Sequence, residues 1–275
     1  MCTALFELQE YQTDDGQRHV RLIVLHNRDE WLTRDTAPCA WWAPPDGTIF
    51  APRDLIRGGT WMGIRKENAI VRAAFLTNIR YMPPVHGKLS RGNVIKDFLE
   101  GTMSTASYLK ELEASGHLYP GFNLIVFDGA SLGHLCNFVH GEYVTESSLL
   151  QPNVIYGMSN GPFSAPWPKV VQAKEAMAAC DRTGPAMEIC HRLLPIMANT
   201  HRIQNEDELP KTGHTIEMEF KLSSLFVETK EPHVDYCTRT MIAMVLDSNP
   251  AEDCCIVEKD LALATHTWTT RSFAL

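Results

Sequence analysis

The chain opens on an alternation of apolar and polar positions. Residues 2–11 set Leu5, Phe6 and Leu8 among polar neighbours and read as a strand. Thr13-Asp14-Asp15-Gly16 has turn chemistry, and the apolar run at 20–26 (VRLIVLH) reads as the second strand of a hairpin. Asn27-Arg28-Asp29-Glu30 then falls in the loop where that strand ends. A stretch rich in Trp and Pro follows, with Pro38, Trp41, Trp42, Pro44 and Pro45. Residues 61–65 and 70–78 read as further strands. Helical spacing begins at 90–99, where Val94, Phe98 and Leu99 share one face, and recurs at 104–115. Residues 122–128 and 132–138 form a predicted hairpin, and 154–158 a short strand. Residues 169–180 and 185–198 read as two more helices, the second kinked or ended by Pro195. The last third returns to β at 217–222, 236–246, 254–258 and 268–273. Strands at both ends bracket the helices, with no β-α-β-α alternation and no repeat period. The expected class is α+β, with packed sheets covered by helices.

Composition narrows the function. The 275 residues suffice for a large core and fit a single domain over 1–275, and 44% hydrophobic against 21% charged residues argues against disorder. The net charge of −8 offers no footprint for phosphate backbones, so nucleic acid is not an expected partner. No apolar run nears the ~18 residues of a membrane span. Glu7, Glu10, Asp14 and Asp15 stand where a secretion signal would be basic and then apolar, so a cytoplasmic location is expected. The eight Cys include no C-x-x-C pair, which argues against a zinc ribbon, a dithiol redox site and covalent haem. Phosphate-loop glycine patterns and H-E-x-x-H are absent, so neither a nucleotide nor a metal site is expected. Isolated His191, His201, His214, His233 and His266 carry no ligand pattern.

Several residues have the chemistry of a site. Removal of Met1 would give Cys2 a free α-amine of pKa ~7.7–8.0, poised to take the proton of its own thiol. A hairpin returning to the chain's start would bring Arg28 and Asp29 to Cys2, where a guanidinium lowers a thiol pKa and a carboxylate holds an amine or orients the Arg. Gly58-Gly59-Thr60-Trp61 suggests a tight turn or a close approach to a ligand. Thr77-Asn78 and Ser159-Asn160 each end a strand, where an Asn amide can donate to an oxyanion. Arg239 is a charge within a strand, facing solvent or a polar site. Gly157-Met158-Ser159-Asn160-Gly161 matches a nucleophile elbow, but Pro162, Pro166 and Pro168 would interrupt the helix that elbow requires.

Taken in order, Met1-Cys2-Thr3, Asn27-Arg28-Asp29-Glu30, Gly58-Gly59-Thr60-Trp61-Met62-Gly63, Leu76-Thr77-Asn78, Ser90-Arg91-Gly92, Gly121-Phe122-Asn123-Leu124, Ser159-Asn160, Pro166-Trp167-Pro168-Lys169 and Thr238-Arg239-Thr240 resemble the NRDE-motif family, also called the Transport and Golgi Organization family. The match runs from residue 1 to about residue 245. The resemblance implies a four-layer αββα sandwich of the N-terminal-nucleophile (Ntn) hydrolase type, distantly similar to choloylglycine and penicillin V acylases. Carried over, Cys2 is nucleophile and base, Arg28 and Asp29 surround it, Asn160 donates to the oxyanion and Arg239 is the second basic residue. Asn27, Glu30, Trp61 and Asn78 are expected to bind the ligand. Cys237 stands where the family usually has Gly, and residues 68–73 are longer and more polar than its pattern.

The same resemblance implies intracellular haem handling, with haem as bound cargo and no axial ligand assigned. The leading expectation is therefore a haem-binding or haem-trafficking protein on this fold. The alternative is a Cys2-dependent amidohydrolase acting on a small amide. A third reading is a lipid or acyl-thioester carrier using Trp41, Trp42 and Trp61 as one wall. All three expect a small-molecule partner, and the first two a single pocket where the tip of the second strand meets the chain's beginning.

Overall fold

The computed structural model describes residues 1–43, 47–67, 70–81, 88–139, 141–228, 235–263 and 265–275. Pro44, Pro45, Asn68 and His233 lie outside them. In chain order the strands are β1 (Cys2–Gln12), β2 (Arg18–Trp31), β3 (Thr36–Trp41), β4 (Ile49–Asp54), β5 (Met62–Glu67) and β6 (Ile70–Asn78). Helices α1 (Gly92–Glu100) and α2 (Thr105–Ser115) follow, then β7 (Phe122–Phe127), β8 (Leu132–Cys136), β9 (Glu146–Leu149) and β10 (Ile155–Met158). Helices α3 (Pro168–Ala179), α4 (Ala186–Leu193) and α5 (Ile216–Lys221) precede β11 (Tyr236–Asp247), β12 (Cys255–Ala262) and β13 (Thr267–Ala274).

The strands form two antiparallel sheets, ordered β10-β1-β2-β11-β12-β13 and β3-β4-β5-β6-β7-β8-β9. Period-two alternation decides which face each side chain buries. On β1 and β2 the even positions Phe6, Leu22 and Val24 enter a core shared with Phe50, Ile64, Phe75 and Ile125 of the other sheet. Phe6 meets Phe75 edge-on at 5.3 Å between ring centres. The odd positions Leu5, Ile23 and Leu25 pack instead on Val170 and Met177 of α3 and Ile189 and Leu193 of α4. Likewise Ala74, Leu76 and Leu124 face Phe98 and Leu99 of α1 and Leu109 and Leu112 of α2. The fold is thus α+β, with two large sheets and helices packed on them. No helix among the described residues is long and apolar enough to cross a membrane.

Three expectations about elements need correction. Asn27-Arg28-Asp29-Glu30 lies inside β2, not in a loop after it. The strand continues because β1 and β11 both pair with it, which satisfies its backbone while its polar side chains find partners on alternate faces. Residues 217–222 alternate like a strand, yet 216–221 is a helix. The Thr215 hydroxyl accepts from the Met218 N–H at its start, and Glu219 is held by Arg80. The Trp- and Pro-rich stretch hides β3 and β4; Pro38 is tolerated because β3 is an edge strand. Pro195 falls in a 3₁₀ turn that follows α4.

Candidate functional site

Register builds the site. Cys2 stands opposite Arg28 in the β1–β2 ladder. Both are even positions and point between the sheets. The Arg28 guanidinium rests 4.2 Å above the Trp61 ring and reaches Glu30 at 3.1 Å. Glu30 in turn lies 3.6 Å from Arg34, whose Nε donates to Asp54 at 3.1 Å. This charged chain lines a cavity of about 350 Å³ together with Cys2, Trp61, Asn78 and Arg91. Gly59 and Gly92 also line it, and Gly59 packs so tightly on the start of α1 that a Cβ would lie 2.9 Å from the Gly92 Cα, while Gly58 beside it turns the chain at φ +73°. Gly58 thus serves a turn, and the close approach at Gly59 is to the start of α1 rather than to a ligand.

Met1 closes one side. Its ammonium donates to the Asp29 carbonyl and the Tyr236 hydroxyl, and its own carbonyl accepts from the Asp29 N–H at 2.7 Å. Burial lowers the pKa of this amine. Burial also pushes the Cys2 thiol up to about 11, with Arg28 pulling the other way. With Met1 in place the thiol is therefore protonated and unreactive near neutrality. The Cys2 N–H donates to Asn160 Oδ1 at 3.4 Å, and Asn160 Nδ2 donates to the Asn78 carbonyl at 2.6 Å. The Ser159 hydroxyl donates to the Cys2 carbonyl at 3.1 Å. It sits at the end of β10, and α3 does not begin until Pro168, so no nucleophile elbow forms. Asn160 itself opens onto a second cavity, of about 450 Å³, on the other side of Met1.

Cys2, Arg28, Glu30, Trp61 and Asn78 therefore share one cavity wall. Asn27, Asp29 and Arg239 are not part of it. Asn27 and Asp29 are odd positions of β2 and turn toward the helices. Asn27 Nδ2 donates to the carbonyls of Met197 and Leu225, tying down the segment after α4 and the one before β11. Asp29 grips Met1 through its backbone, while its carboxylate accepts from the Thr238 hydroxyl at 2.6 Å. Burial raises the Asp29 pKa, and Lys169 opposes that. Arg239 sits where the β2–β11 register shifts between Thr238 and Thr240. Its guanidinium donates to the carbonyls of Trp31 and Arg34 and to the Thr36 hydroxyl, holding the turn that leads out of β2.

The three tryptophans do not form one wall. Trp42 is buried in the core against α1 and α2, Trp61 lies between the sheets, and Trp41 is half exposed.

Three residues of the site carried no role in the sequence. Lys169 is buried beneath Asp29, with its ammonium on the carbonyls of Leu222 and Ser224 and its pKa lowered to about 8 by burial. Its signal was the Pro-Trp-Pro-Lys run, whose second proline, Pro168, starts α3. Tyr236 anchors Met1 and left no sequence signal. Arg91 lines both cavities, donates to the Gly121 carbonyl at 2.9 Å, and has its pKa lowered to about 10 by burial. Buried His26 and His134 are held neutral, their pKa values lowered to about 4 and about 3. No group of three or more His, Cys, Asp or Glu among the described residues is arranged to hold a metal ion.

Comparison with known proteins places this geometry in context. A solved structure, the Caenorhabditis elegans N-acylethanolamine-hydrolyzing acid amidase ortholog, superposes with a TM-score of 0.49 at 14% identity, covering 81% of this chain and 98% of that one. The Bos taurus Transport and Golgi organization protein 2 homolog is 29% identical over 258 residues, 90% of each chain. The Homo sapiens homolog is 27% identical over 287 aligned positions, covering 99% of this chain and 98% of that one. The Drosophila melanogaster Transport and Golgi organization protein 2 is 26% identical over 262. The family model described as Transport and Golgi organisation 2 matches residues 1–262, and the chain belongs to that family.

Proposed function

We propose that this protein is a cysteine Ntn amidohydrolase on a four-layer αββα frame, activated by loss of Met1. The observation that carries the reading is the placement of Cys2: directly across from Arg28, at a cavity, with Asn160 on its backbone N–H. Removal of Met1 leaves the Cys2 nitrogen as an α-amine in the same corner. That amine takes the thiol proton, and the Arg28 guanidinium favours the resulting thiolate. The sulfur attacks the amide carbon and the carbonyl oxygen becomes an oxyanion. Asn160 uses one of its two Nδ2 N–H groups on Asn78, leaving the other to donate to that oxyanion. The leaving nitrogen takes the proton back from the Cys2 ammonium as the C–N bond breaks, giving a thioester and a free amine. Water, deprotonated by the same amine, releases the acid and restores the thiol.

Lys169, Tyr236 and Arg239 are positioning residues in this scheme, since each acts through backbone or through Asp29. A cytoplasmic location belongs to the proposal, because a reducing compartment keeps the Cys2 thiol free. The test is mass spectrometry of the N-terminus together with amide turnover. Protein lacking Met1 is expected to release amine from N-acyl amides, and Cys2→Ala to abolish release with the fold intact. Retention of Met1 in the natural host, or turnover undiminished in Cys2→Ala, would remove the mechanism.

Haem carriage is the second reading. What favours it is the cavity's cationic wall beside a thiol: Arg57 and Arg91 suit propionates, and Cys2 would ligate the iron. Haemin titration tests it. A Soret shift lost in Cys2→Ala is expected, and no shift at all would remove it.

A further inference from the structure

Resting on the amidohydrolase reading of this site, we propose that the substrate is an amide joining an apolar acyl chain to a head group that bears a carboxylate or phosphate, held across a cleft that forms when Met1 leaves. The two cavities described above share Met1, Asn78, Arg91 and Pro120 as wall residues. Met1 is the one that N-terminal trimming removes, and its loss joins them with Cys2 on one side and Asn160 on the other. The joined cleft has two unlike arms.

The arm on the Cys2 side is cationic. Arg28 and Arg34 share the carboxylates Glu30 and Asp54. Arg57, Lys88 and Arg91 also line it, and none of the three has a carboxylate partner among the described residues. Two buried donors in its wall are unsatisfied: Arg28 Nη1 and Trp61 Nε1 make no hydrogen bond. Buried donors left unpaired are costly, and an oxyanion is the ligand group that accepts from several at once. No acidic residue occupies the first turn of α1, which starts at the same wall. The arm on the Asn160 side is different. Trp31, Ile79, Tyr81 and Phe138 give it an aromatic and aliphatic lining, and of the arginines there, Arg91 is shared with the other arm and Arg80 is paired with Glu219. Trp31 and Tyr81 are each about half exposed, at 53% and 50%, which is large apolar surface for water to cover. An acyl chain on that lining and an anion among the arginines put the connecting amide at Cys2.

The experiment measures binding to Met1-free Cys2→Ala protein by calorimetry, so that affinity is read without turnover. The probes are N-dodecanoylglycine, O-phosphoryl-N-dodecanoylethanolamine, neutral N-dodecanoylethanolamine and short N-acetylglycine. At least one anionic long-chain probe is expected to bind ten-fold or more tightly than the neutral one, and the tighter of the two identifies the anion. Arg57→Gln, at an exposed position that leaves the fold undisturbed, is expected to cut that preference at least three-fold, and Arg57→Gln with Arg91→Gln to bring it below two-fold. Equal affinity for charged and neutral probes overturns the proposal, as does a preference that survives both substitutions. N-acetylglycine binding as tightly as N-dodecanoylglycine overturns the apolar arm. Preferential binding with no hydrolysis by the Cys2-bearing protein sinks the amidase reading and leaves the ligand class standing.

Discussion

Cys2 and Arg28 are cross-strand partners: the ladder that pairs β1 with β2 sets the thiol and the guanidinium on the same face, and Trp61 holds the guanidinium from above at 4.2 Å. A cation fixed in this way stabilises a thiolate. In Met1-free protein, Arg28→Gln is expected to raise the Cys2 pKa and slow its alkylation by iodoacetamide at pH 7.5 about ten-fold, while Arg28→Lys recovers part of the rate. The rate is read on the N-terminal peptide by mass spectrometry. An unchanged rate in Arg28→Gln would remove Arg28 from the site.

Met1 sets the opposite condition. With the thiol pushed up to about 11, thiolate accumulates only as pH rises toward that value. Against a free thiol of pKa ~8.5, this gives at least a hundred-fold less thiolate at pH 7.5. Alkylation of Cys2 in Met1-bearing protein is expected to be slower than in Met1-free protein by at least that factor, and to keep rising up to pH 10. A rate that levels off near pH 8.5 would contradict this.

The sequence carried these parts unevenly. The pairing of Cys2 with Arg28 was legible, because an alternating segment, a four-residue turn and a run such as VRLIVLH leave little choice but a hairpin. Parity is the part that residue type alone does not show. Adjacent residues of a strand face opposite ways, so Asn27 and Asp29 cannot share a wall with Arg28 and Glu30. Read as a loop, the four polar residues carry no parity, because a loop imposes no alternation. The irregular register at Arg239 was equally hidden, since a bulge depends on the partner strand. Strands β3 and β4 escaped because their pattern follows edge position and packing against α1. The helix at 216–221 escaped because its stability comes from tertiary contacts of Glu219.

Lys169 predicts a pH signature. Its folded pKa is about 8, below the ordinary 10.5. The folded state therefore binds fewer protons than the unfolded chain between those values, and stability rises with pH across that window as the cost of burying the charge is relieved. Relative to Lys169→Met, the unfolding free energy is expected to gain on the order of 2–3 kcal/mol between pH 8 and 10.5, and to hold constant below pH 7. Urea titrations at five or six pH values measure the difference. Parallel curves for the two proteins would show that the ammonium is not desolvated.

Gly59 predicts a steric effect at the cavity rim. A methyl group there meets the Gly92 backbone at 2.9–3.4 Å, which neither segment relieves by rotating a side chain. Gly59→Ala is expected to cost about 1–3 kcal/mol in chemical denaturation and to loosen the contact between the 58–61 turn and α1. Gly58→Ala strains a positive-φ turn but meets no atom within 4 Å, so it is expected to cost less. The reverse order of the two costs would contradict the packing described.

The acyl-enzyme itself is the most direct test of the central claim. Met1-free protein mixed with a long-chain N-acylglycine and quenched in acid should show one acyl group on the N-terminal peptide, removable by hydroxylamine and absent in Cys2→Ala. An unmodified N-terminal peptide during active turnover, or an adduct that persists in Cys2→Ala, would contradict Cys2 as the nucleophile.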